Sequence, residues 1–298
     1  MKKILVTGAN GQLGSELKKL SKNVKFDFVF TDVDELDITD IQECAIFFDK
    51  VKPDFVINCA AYTAVDKAEA DKQLAWKINV DAVKNLVISC SLHDSYLIQI
   101  STDYVFDGKS YVPYIEKDLV APLSEYGKSK AAAELEVLSY PKSLVIRTSW
   151  LYSTCGNNFV KTMIRLGQER ESLNVVFDQL GTPTYAEDLA ATILEIAAKI
   201  DSGEKRFVAG LFHYSNEGVC SWYDFACAIM KLNSLKCKIY PIETSDYPTP
   251  AKRPKYGVMN KAKIKSIYEI NINHWYSSLE KMMNVLSQKK TTEVETTE

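Results

Sequence analysis

The chain has 298 residues, 46% hydrophobic and 25% charged, which is enough for one large or two moderate domains with a buried core. Its formal net charge of −3 and the mixing of acids with bases exclude the basic face that binds nucleic acid or an anionic membrane. No apolar run approaches the roughly 20 residues that span a bilayer, and no signal-peptide pattern precedes the first strand, so we expect a cytoplasmic protein. Its seven cysteines form no Cys-x-x-Cys pair, which argues against disulfides and zinc.

The first predicted strand runs directly into a glycine-rich turn. Apolar residues 4–6 precede the turn, and an amphipathic helix with Leu17 and Leu20 follows it. Glycines at such a turn permit positive φ and a close backbone approach to a pyrophosphate at the helix amino end. The residues predicted to bind a dinucleotide here are Gly8, Asn10, Gly11, Gln12, Leu13 and Gly14.

A second strand at residues 27–31 ends in an acid. Asp32 lies eighteen residues after Gly14, where a carboxylate can accept a hydrogen bond from the ribose 2′-hydroxyl, although a simple turn aspartate remains an alternative. Asp37 and Ile38 follow in the next loop, where an adenine ring could be contacted.

The next segments continue an alternation of strand and helix. Residues 55–61 form an almost continuous apolar run that ends in Ala60 and Ala61, small residues beside which a cofactor can pass. Residues 72–93 carry one long helical pattern, and a strand at 96–100 leads to Thr102. Such alternation predicts an α/β protein with a doubly wound parallel, Rossmann-type sheet that binds ligands outside the carboxyl ends of its strands.

A tyrosine and a lysine follow on the next predicted helix. Tyr126 is the only one of the 16 tyrosines with a lysine four residues later, and that spacing places Tyr126 and Lys130 on one helix face. A nearby cation favours the phenolate, so Lys130 is expected to lower the pKa of Tyr126. Thr102 would supply a hydroxyl to a substrate carbonyl.

Several motifs give the chain a resemblance to the extended short-chain dehydrogenase/reductases over nearly its whole length. These motifs are residues 7–14, 58–69, Ser101-Thr102-Asp103-Tyr104-Val105-Phe106-Asp107-Gly108, Tyr126-Gly127-Lys128-Ser129-Lys130, Arg147-Thr148-Ser149-Trp150, 178–184 and 247–254. Within that family the chain resembles the reductases of 4-keto-6-deoxy sugars carried on a nucleoside diphosphate. One departure is Tyr62, where such reductases often have histidine, and we interpret it as a changed cofactor contact.

The resemblance implies an enzyme that uses NADPH or NADH to reduce dTDP-4-dehydro-L-rhamnose to dTDP-L-rhamnose. By that resemblance Tyr126 donates the proton, Lys130 binds the nicotinamide ribose, and Thr102 polarises the ketone. Thr102, Asp103 and Trp150 would contact the sugar nucleotide, and Arg253 would match the pyrophosphate bidentately. Trp150 could instead be an ordinary core residue.

We expect two domains and a tail. Residues 1–150, with 173–214 returning to them, would form the NAD(P)-binding domain, residues 151–172 and 215–286 a smaller substrate-binding domain, and residues 287–298 a disordered tail. The histidines at 93, 213 and 274 are given no chemistry.

Two other functions remain open at this point. A dehydratase or epimerase of the same superfamily would share the Tyr/Lys pair, but sugar-nucleotide dehydratases typically have glutamate where this chain has Tyr104. A non-catalytic regulatory subunit resembling that of methionine adenosyltransferase would be a binding module. The intact Thr102, Tyr126 and Lys130 set favours an enzyme.

A magnesium site is a further alternative. Some relatives dimerise through Mg²⁺ on acids that correspond to Glu16, Glu187 and Asp188, and carboxylates are suitable ligands for Mg²⁺. Acids in the first turn of a helix are also favoured by its dipole without any metal. Reduction does not require the metal, and the chain would be a monomer or a homodimer that binds a nucleotide sugar.

Overall fold

A six-stranded parallel sheet forms the centre of the molecule. The computed structural model describes residues 1–295 of the chain, and the side chains of residues 1–288. In chain order the sheet contains β1 (Lys3–Thr7), β2 (Asp27–Thr31), β3 (Phe55–Asn58), β4 (Tyr96–Thr102), β5 (Ser143–Thr148) and β10 (Gly210–His213). Their spatial order is β2-β1-β3-β4-β5-β10, with every neighbouring pair parallel. The predicted doubly wound sheet is therefore confirmed.

Helices cover both faces of this sheet, because successive strand residues point to opposite sides. The helices of this layer are α1 (Gln12–Leu20), α2 (Ile41–Val51), α3 (Val65–Ala68), α4 (Lys72–Trp76), α5 (Ala82–His93), α6 (Glu125–Leu138), α8 (Ala186–Asp201) and α10 (Ala262–Tyr268). Ile4 and Val6 of β1 face a core shared with α1, α8 and α10. Leu5, between them, faces a core shared with α2, α5 and α6.

The long helix predicted over 72–93 is present but irregular. A π-helical segment, Lys77–Asp81, joins α4 to α5 without a break in the helical backbone. Within it lies the buried Asn79, whose side chain binds the backbone of Tyr62 and the hydroxyl of Ser129. The irregular turn thus aims an amide at the helix that carries the predicted catalytic pair.

A second hydrophobic core lies in the later part of the chain. Its elements are β6 (Leu151–Tyr152), α7 (Phe159–Glu169), β7 (Ser172–Val176), β8 (Leu180–Gly181), β9 (Thr184–Tyr185), β11 (Cys220–Ser221), α9 (Trp222–Leu232), β12 (Lys238–Ile242) and α11 (Trp275–Glu295). The strands form three two-stranded sheets, β6-β9, β7-β12 and β8-β11. The stripe predicted on the last helix, including Leu279, Met282 and Met283, packs in this core.

Two details of the predicted domain boundaries differ from the structure. The strand predicted at 173–177 is present as β7, but Leu173 and Val175 pack in the second core and the strand pairs with β12. Of the segment 173–214, therefore, only β10 enters the central sheet and only α8 packs against it. Helix α11 continues through Glu295 because propagation adds one backbone hydrogen bond per residue to a packed helix, so the tail predicted from residue 287 begins as helix. Residues 296–298 lie outside the described residues.

None of the helices in the described part of the chain has the length and apolar character needed to cross a membrane.

Candidate active site

A cleft of about 320 Å³ opens outside the carboxyl ends of β1, β2 and β3. This is the point at which the strand order reverses direction, where doubly wound sheets bind their ligands. The cleft brings together predicted residues from four separate segments. They are Gly8 and Gly11, Asp32, Asp37 and Ile38, and Ala60 and Ala61, with Thr7, Val33, Leu36, Thr39, Cys59 and Ile78 completing the lining.

Two glycines keep the backbone around this cleft closely packed. Gly8 has φ +65°, and a Cβ there would lie 2.6 Å from the nitrogen of Ala60. A Cβ on Gly14 would lie 2.4 Å from the carbonyl oxygen of Gly8. No side chain caps the amino end of α1 at Gly11, which leaves its first N–H groups for an anion. The residues present therefore fit the pyrophosphate of a dinucleotide.

Asp32 stands at the rim of the cleft. Its carboxylate accepts hydrogen bonds from the backbone N–H of Asn10 at 2.9 Å and of Val33 at 2.9 Å. Asp37 caps its own loop by accepting from Thr39, which lowers the pKa of the Asp37 carboxyl. The two acids thus hold the loops that follow β1 and β2, in the place predicted for the adenosine half.

Three predicted cofactor residues point elsewhere. The Gln12 amide binds the carbonyl of Leu151 and the side chain of Asn158, on the side of the second core. Leu13 packs in the main core, so only its backbone faces the turn. The Tyr62 hydroxyl donates to Asp71 at 3.2 Å, while its backbone N–H binds Asn79.

Thr102, Tyr126 and Lys130 meet at the carboxyl end of β4. Thr102 ends that strand, and Ser124 caps α6 by accepting from Gly127, which places Tyr126 in the first turn. The Tyr126 ring packs edge-on against Tyr104, with 5.6 Å between ring centroids. The Lys130 ammonium is buried and donates to the Ile100 carbonyl at 2.7 Å.

Burial dominates the electrostatics of this group. It raises the pKa of Tyr126 to about 12, whereas the neighbouring Thr102 hydroxyl acts to lower it. It also lowers the pKa of Lys130 to about 8, against the opposing effect of the Glu134 carboxylate. The expectation that Lys130 lowers the pKa of Tyr126 therefore differs from this structure, because the ammonium is directed to the Ile100 carbonyl and the opposing hydroxyl is that of Thr102.

Asp103 is the most deeply buried of the predicted substrate residues, at 2% exposure. Its Oδ1 accepts from the Thr102 hydroxyl at 3.1 Å. Burial raises the pKa of the Asp103 carboxyl to about 7. A side chain predicted only to contact substrate thus also accepts a hydrogen bond from Thr102, one of the predicted catalytic residues.

Trp150 is held in an unusual conformation. Its φ is +48°, a left-handed value that costs a bulky residue energy. One face of the indole stacks on Trp222 with 3.6 Å between centroids and 9° between planes, and the ring also packs on Gly181. The side chain is half-buried, so part of it is accessible to a ligand, unlike that of a core tryptophan. Contact between Trp150 and the substrate stays a prediction.

Arg253 already has a carboxylate partner. Its two terminal nitrogens bind the two oxygens of Asp66 at 3.1 and 2.7 Å, and it also contacts Thr249 and the Ala251 carbonyl. A pyrophosphate at this position would have to share the guanidinium with Asp66. Nothing local in the sequence indicated this pair, because Asp66 and Arg253 are 187 residues apart.

The three acids considered for Mg²⁺ are engaged within the chain. Glu16 is fully buried and binds Ser153, Thr154 and Lys19. Glu187 pairs with Lys281 at 2.8 Å, and Asp188 accepts from Asn216 and Ser278. Among the side chains of residues 1–288, no group of three or more His, Cys, Asp or Glu is placed to hold a metal ion.

A buried ion pair beneath the site was not predicted. Arg147 of β5 donates to both oxygens of Glu134 on α6, at 2.8 and 2.6 Å, and its guanidinium lies 4.9 Å from the centre of the Phe106 ring. Ser101 donates to the same carboxylate, and His213 lies beside Arg147. Glu134 is one helical turn after Lys130, a spacing that could have indicated its proximity.

Comparison with known proteins gives a consistent result. A family model described as RmlD substrate binding domain matches residues 1–288. The chain is 42% identical over 287 residues to dTDP-4-dehydrorhamnose reductase from Aggregatibacter actinomycetemcomitans, covering 94% of this chain and 97% of that protein. A crystal structure of such a reductase from Clostridium acetobutylicum is 45% identical with a TM-score of 0.90, covering 96% of this chain and 99% of that one. Another from Bacillus anthracis, in complex with NADP, is 39% identical with a TM-score of 0.90, covering 95% and 99%.

Proposed function

The chain belongs to the RmlD substrate binding domain family, and from that membership we propose that it reduces the C4 ketone of dTDP-4-dehydro-L-rhamnose to give dTDP-L-rhamnose. NADPH, or NADH in its place, serves as the reductant. The observation that carries this proposal is the meeting of Thr102, Tyr126 and Lys130 at the carboxyl end of β4, in a sheet whose switch point holds the glycine-lined cleft.

We assign the proton chemistry to this group. When bound, the nicotinamide supplies hydride to the sugar carbon. Tyr126 gives a proton to the oxygen of the same carbonyl, and Thr102, at the end of β4, offers its hydroxyl to that oxygen. Lys130, held by the Ile100 carbonyl, presents a cation beside the place of the ribose.

The remaining predicted residues bind and orient. The turn from Gly8 to Gly14 and the open amino end of α1 suit a pyrophosphate, and Asp32 suits a ribose hydroxyl. Trp150, fixed by its stack on Trp222, presents an aromatic edge for the nucleotide sugar.

The rival functions lack a supporting observation in the site. A dehydratase needs a base at the position of Tyr104, where this chain places a phenol whose pKa burial raises well above its ordinary value. A module that only binds ligands does not require a tyrosine one helical turn from a buried lysine at a strand end.

Consumption of NADPH and NADH should be followed with a panel of 4-keto-6-deoxy sugars carried on dTDP, UDP and GDP. We expect steady consumption with the dTDP-linked ketone and the formation of a 6-deoxy-hexose nucleotide. Tyr126→Phe is the matched control, since it removes one oxygen and keeps the ring. Binding of the ketone without consumption by the unaltered chain would instead indicate a regulatory module, and conversion of dTDP-glucose without net consumption would indicate a dehydratase.

We also propose that the protein works in the cytoplasm as a monomer or homodimer. All seven of its cysteines lie in the described part of the chain and are free thiols, as expected in a reducing compartment. A role for Mg²⁺ is not needed for reduction by Tyr126. Sedimentation with and without a chelator tests whether the metal contributes to a dimer.

A further inference from the structure

Three buried polar side chains, Thr7, Asn58 and Gln99, form a hydrogen-bonded row across the central sheet. This polar row begins at Thr7 on β1, passes through Asn58 on β3 and Gln99 on β4, and ends at the Ile100 carbonyl, to which Lys130 is bound. Each of the three side chains is at most 1% exposed. A buried polar group costs free energy unless it is hydrogen-bonded, so a row of them in the middle of a sheet needs an explanation.

The hydrogen bonds of the polar row can run in one direction only. Asn58 Oδ1 accepts from the backbone N–H of Ala60 at 3.1 Å and from the Thr7 hydroxyl at 2.6 Å. Its Nδ2 therefore faces the Oε1 of Gln99, at 2.8 Å, which leaves the Gln99 Nε2 to donate to the Ile100 carbonyl at 2.9 Å. Backbone groups fix both ends, since an N–H only donates and a C=O only accepts. Turning either amide over would oppose two donors or two acceptors.

The Ile100 carbonyl is the point at which the polar row meets Lys130. Strand β3 ends at Asn58, opposite Gln99, whereas β4 continues to Thr102, so Ile100 lies past the last residue pair of these two strands. A carbonyl oxygen has two lone pairs with which to accept. Gln99 takes one of them, and the Lys130 ammonium takes the other at 2.7 Å. The direction of the ammonium is therefore set by the lone pair that Gln99 leaves.

The polar row also ties the position of Lys130 to the wall of the cleft. Ala60 lines the cleft, and a Cβ on Gly8 would lie only 2.6 Å from the Ala60 nitrogen. The Asn58 oxygen that accepts from this N–H fixes the orientation of its own amide, and hence that of Gln99. The distance between the glycine turn and the ammonium is thus set by directed hydrogen bonds in addition to apolar packing.

We propose that Gln99 is a positioning residue that directs the Lys130 ammonium toward the ribose of a bound NAD(P)H. It does so by filling one lone pair of the Ile100 carbonyl, while Asn58 keeps the Gln99 amide from turning. The inference rests on the proposed function, which gives Lys130 the ribose as its ligand. Gln99 is buried within the sheet, so its effect on the cofactor passes through Lys130.

A double-mutant cycle on NADPH binding, followed by the fluorescence of the cofactor, tests this coupling. Gln99→Met keeps the length of the side chain and removes both hydrogen bonds, so the Kd should rise roughly fivefold, the effect of one misdirected hydrogen bond. Lys130→Met should raise the Kd roughly tenfold or more, because it removes a charged donor. In the Lys130→Met background the change at Gln99 should alter the Kd by less than about twofold, because the ammonium that Gln99 directs is absent.

A matched control separates positioning from a general loss of stability. Ser143→Ala also removes two buried hydrogen bonds, to the carbonyls of Val137 and Tyr140, at the amino end of β5 and away from the cleft. It should lower the melting temperature and leave the NADPH Kd unchanged. Gln99→Leu removes the same two hydrogen bonds as Gln99→Met with a different side-chain shape, and it takes the place of Gln99→Met in the cycle if that variant does not fold.

Three results would overturn the inference. The first is an equal rise in Kd for the change at Gln99 with and without the lysine, which would make Gln99 a structural residue. The second is a wild-type Kd in Gln99→Met or in Lys130→Met. The third is a rise in Kd in Ser143→Ala as large as that in Gln99→Met.

The positioning by Gln99 and the proposed function can fail separately. A chain that shows the coupling in NADPH binding but reduces no 4-keto sugar would refute the proposed reduction and support the positioning. A chain that reduces the ketone while the effects of Gln99→Met and Lys130→Met on the NADPH Kd simply multiply would refute the positioning alone.

Discussion

Replacing Arg147 by methionine should cost much of the stability of this protein. The substitution keeps most of the side-chain volume but leaves the Glu134 carboxylate, at 4% side-chain exposure, without its cation. Breaking a buried ion pair by removing one partner costs about 3–5 kcal/mol. An unfolding entropy of about 2.1 cal/mol/K per residue gives about 0.63 kcal/mol/K for 298 residues, so the melting temperature should fall by about 5–8 °C.

The chain provides a matched control for this experiment. Arg165 pairs with Glu169 at 2.9 Å on the exposed face of α7, with side-chain exposures of 61% and 51%. Such a surface pair contributes about 0.3–0.5 kcal/mol, so Arg165→Met should lower the melting temperature by less than about 1 °C. Thermal unfolding followed by circular dichroism measures both variants. Equal melting temperatures for the two variants would refute the inference that breaking the buried Arg147–Glu134 pair costs more stability than breaking the exposed Arg165–Glu169 pair.

Three further predictions concern the site and its pH dependence. Tyr126→Phe should retain cofactor binding and lose about 10²–10⁴-fold in turnover, and a near-wild-type kcat would remove Tyr126 from the mechanism. The unaltered chain should use both cofactors, and Asp32→Ala should shift the kcat/KM ratio toward NADPH by removing a charge that repels the 2′-phosphate, whereas an unchanged ratio would show that Asp32 does not touch the ribose. Burial lowers the pKa of His213 to about 3 from 6.5, so the unfolded chain binds the proton first and stability is lost as pH falls from 6.5 toward 3. Between pH 6.5 and pH 5 the free energy of unfolding, measured in urea, should fall by about 2 kcal/mol less in His213→Phe than in the wild type. An equal fall in both proteins would count against a neutral His213 in the folded state.

The central sheet could be predicted because its signals are local. Each strand is a short apolar run, each is followed by a helical period, and the glycine turn marks the first crossover. The pairing of β7 with β12 could not, since it joins residues 66 positions apart and β12 is a partly exposed strand that contains Pro241. Pairing between distant strands depends on tertiary packing, which a local pattern does not encode.

The positions of the catalytic residues could be predicted for the same reason, because local motifs carry them. Motifs placed Tyr126 and Lys130 on one helix face and Thr102 at a strand end, where the structure has them. The direction of their pKa shifts could not be predicted from the sequence, because the burial and the partner of each polar atom depend on residues from elsewhere in the chain. The bond from Lys130 to the Ile100 carbonyl and the pair between Asp66 and Arg253 are examples.

The order of segments along the chain has a consequence for its synthesis on the ribosome. Helix α8 and strand β10 complete the central sheet, but they are made only after the first half of the second core, residues 151–185. Until residue 213 has emerged, β5 is the open edge of a parallel sheet, and all six of its residues are buried in the finished protein. An edge of this kind presents unpaired backbone groups and apolar side chains to other chains. A fragment that ends at residue 150 would keep that edge permanently, so the nascent protein depends on its own later segments for protection from aggregation.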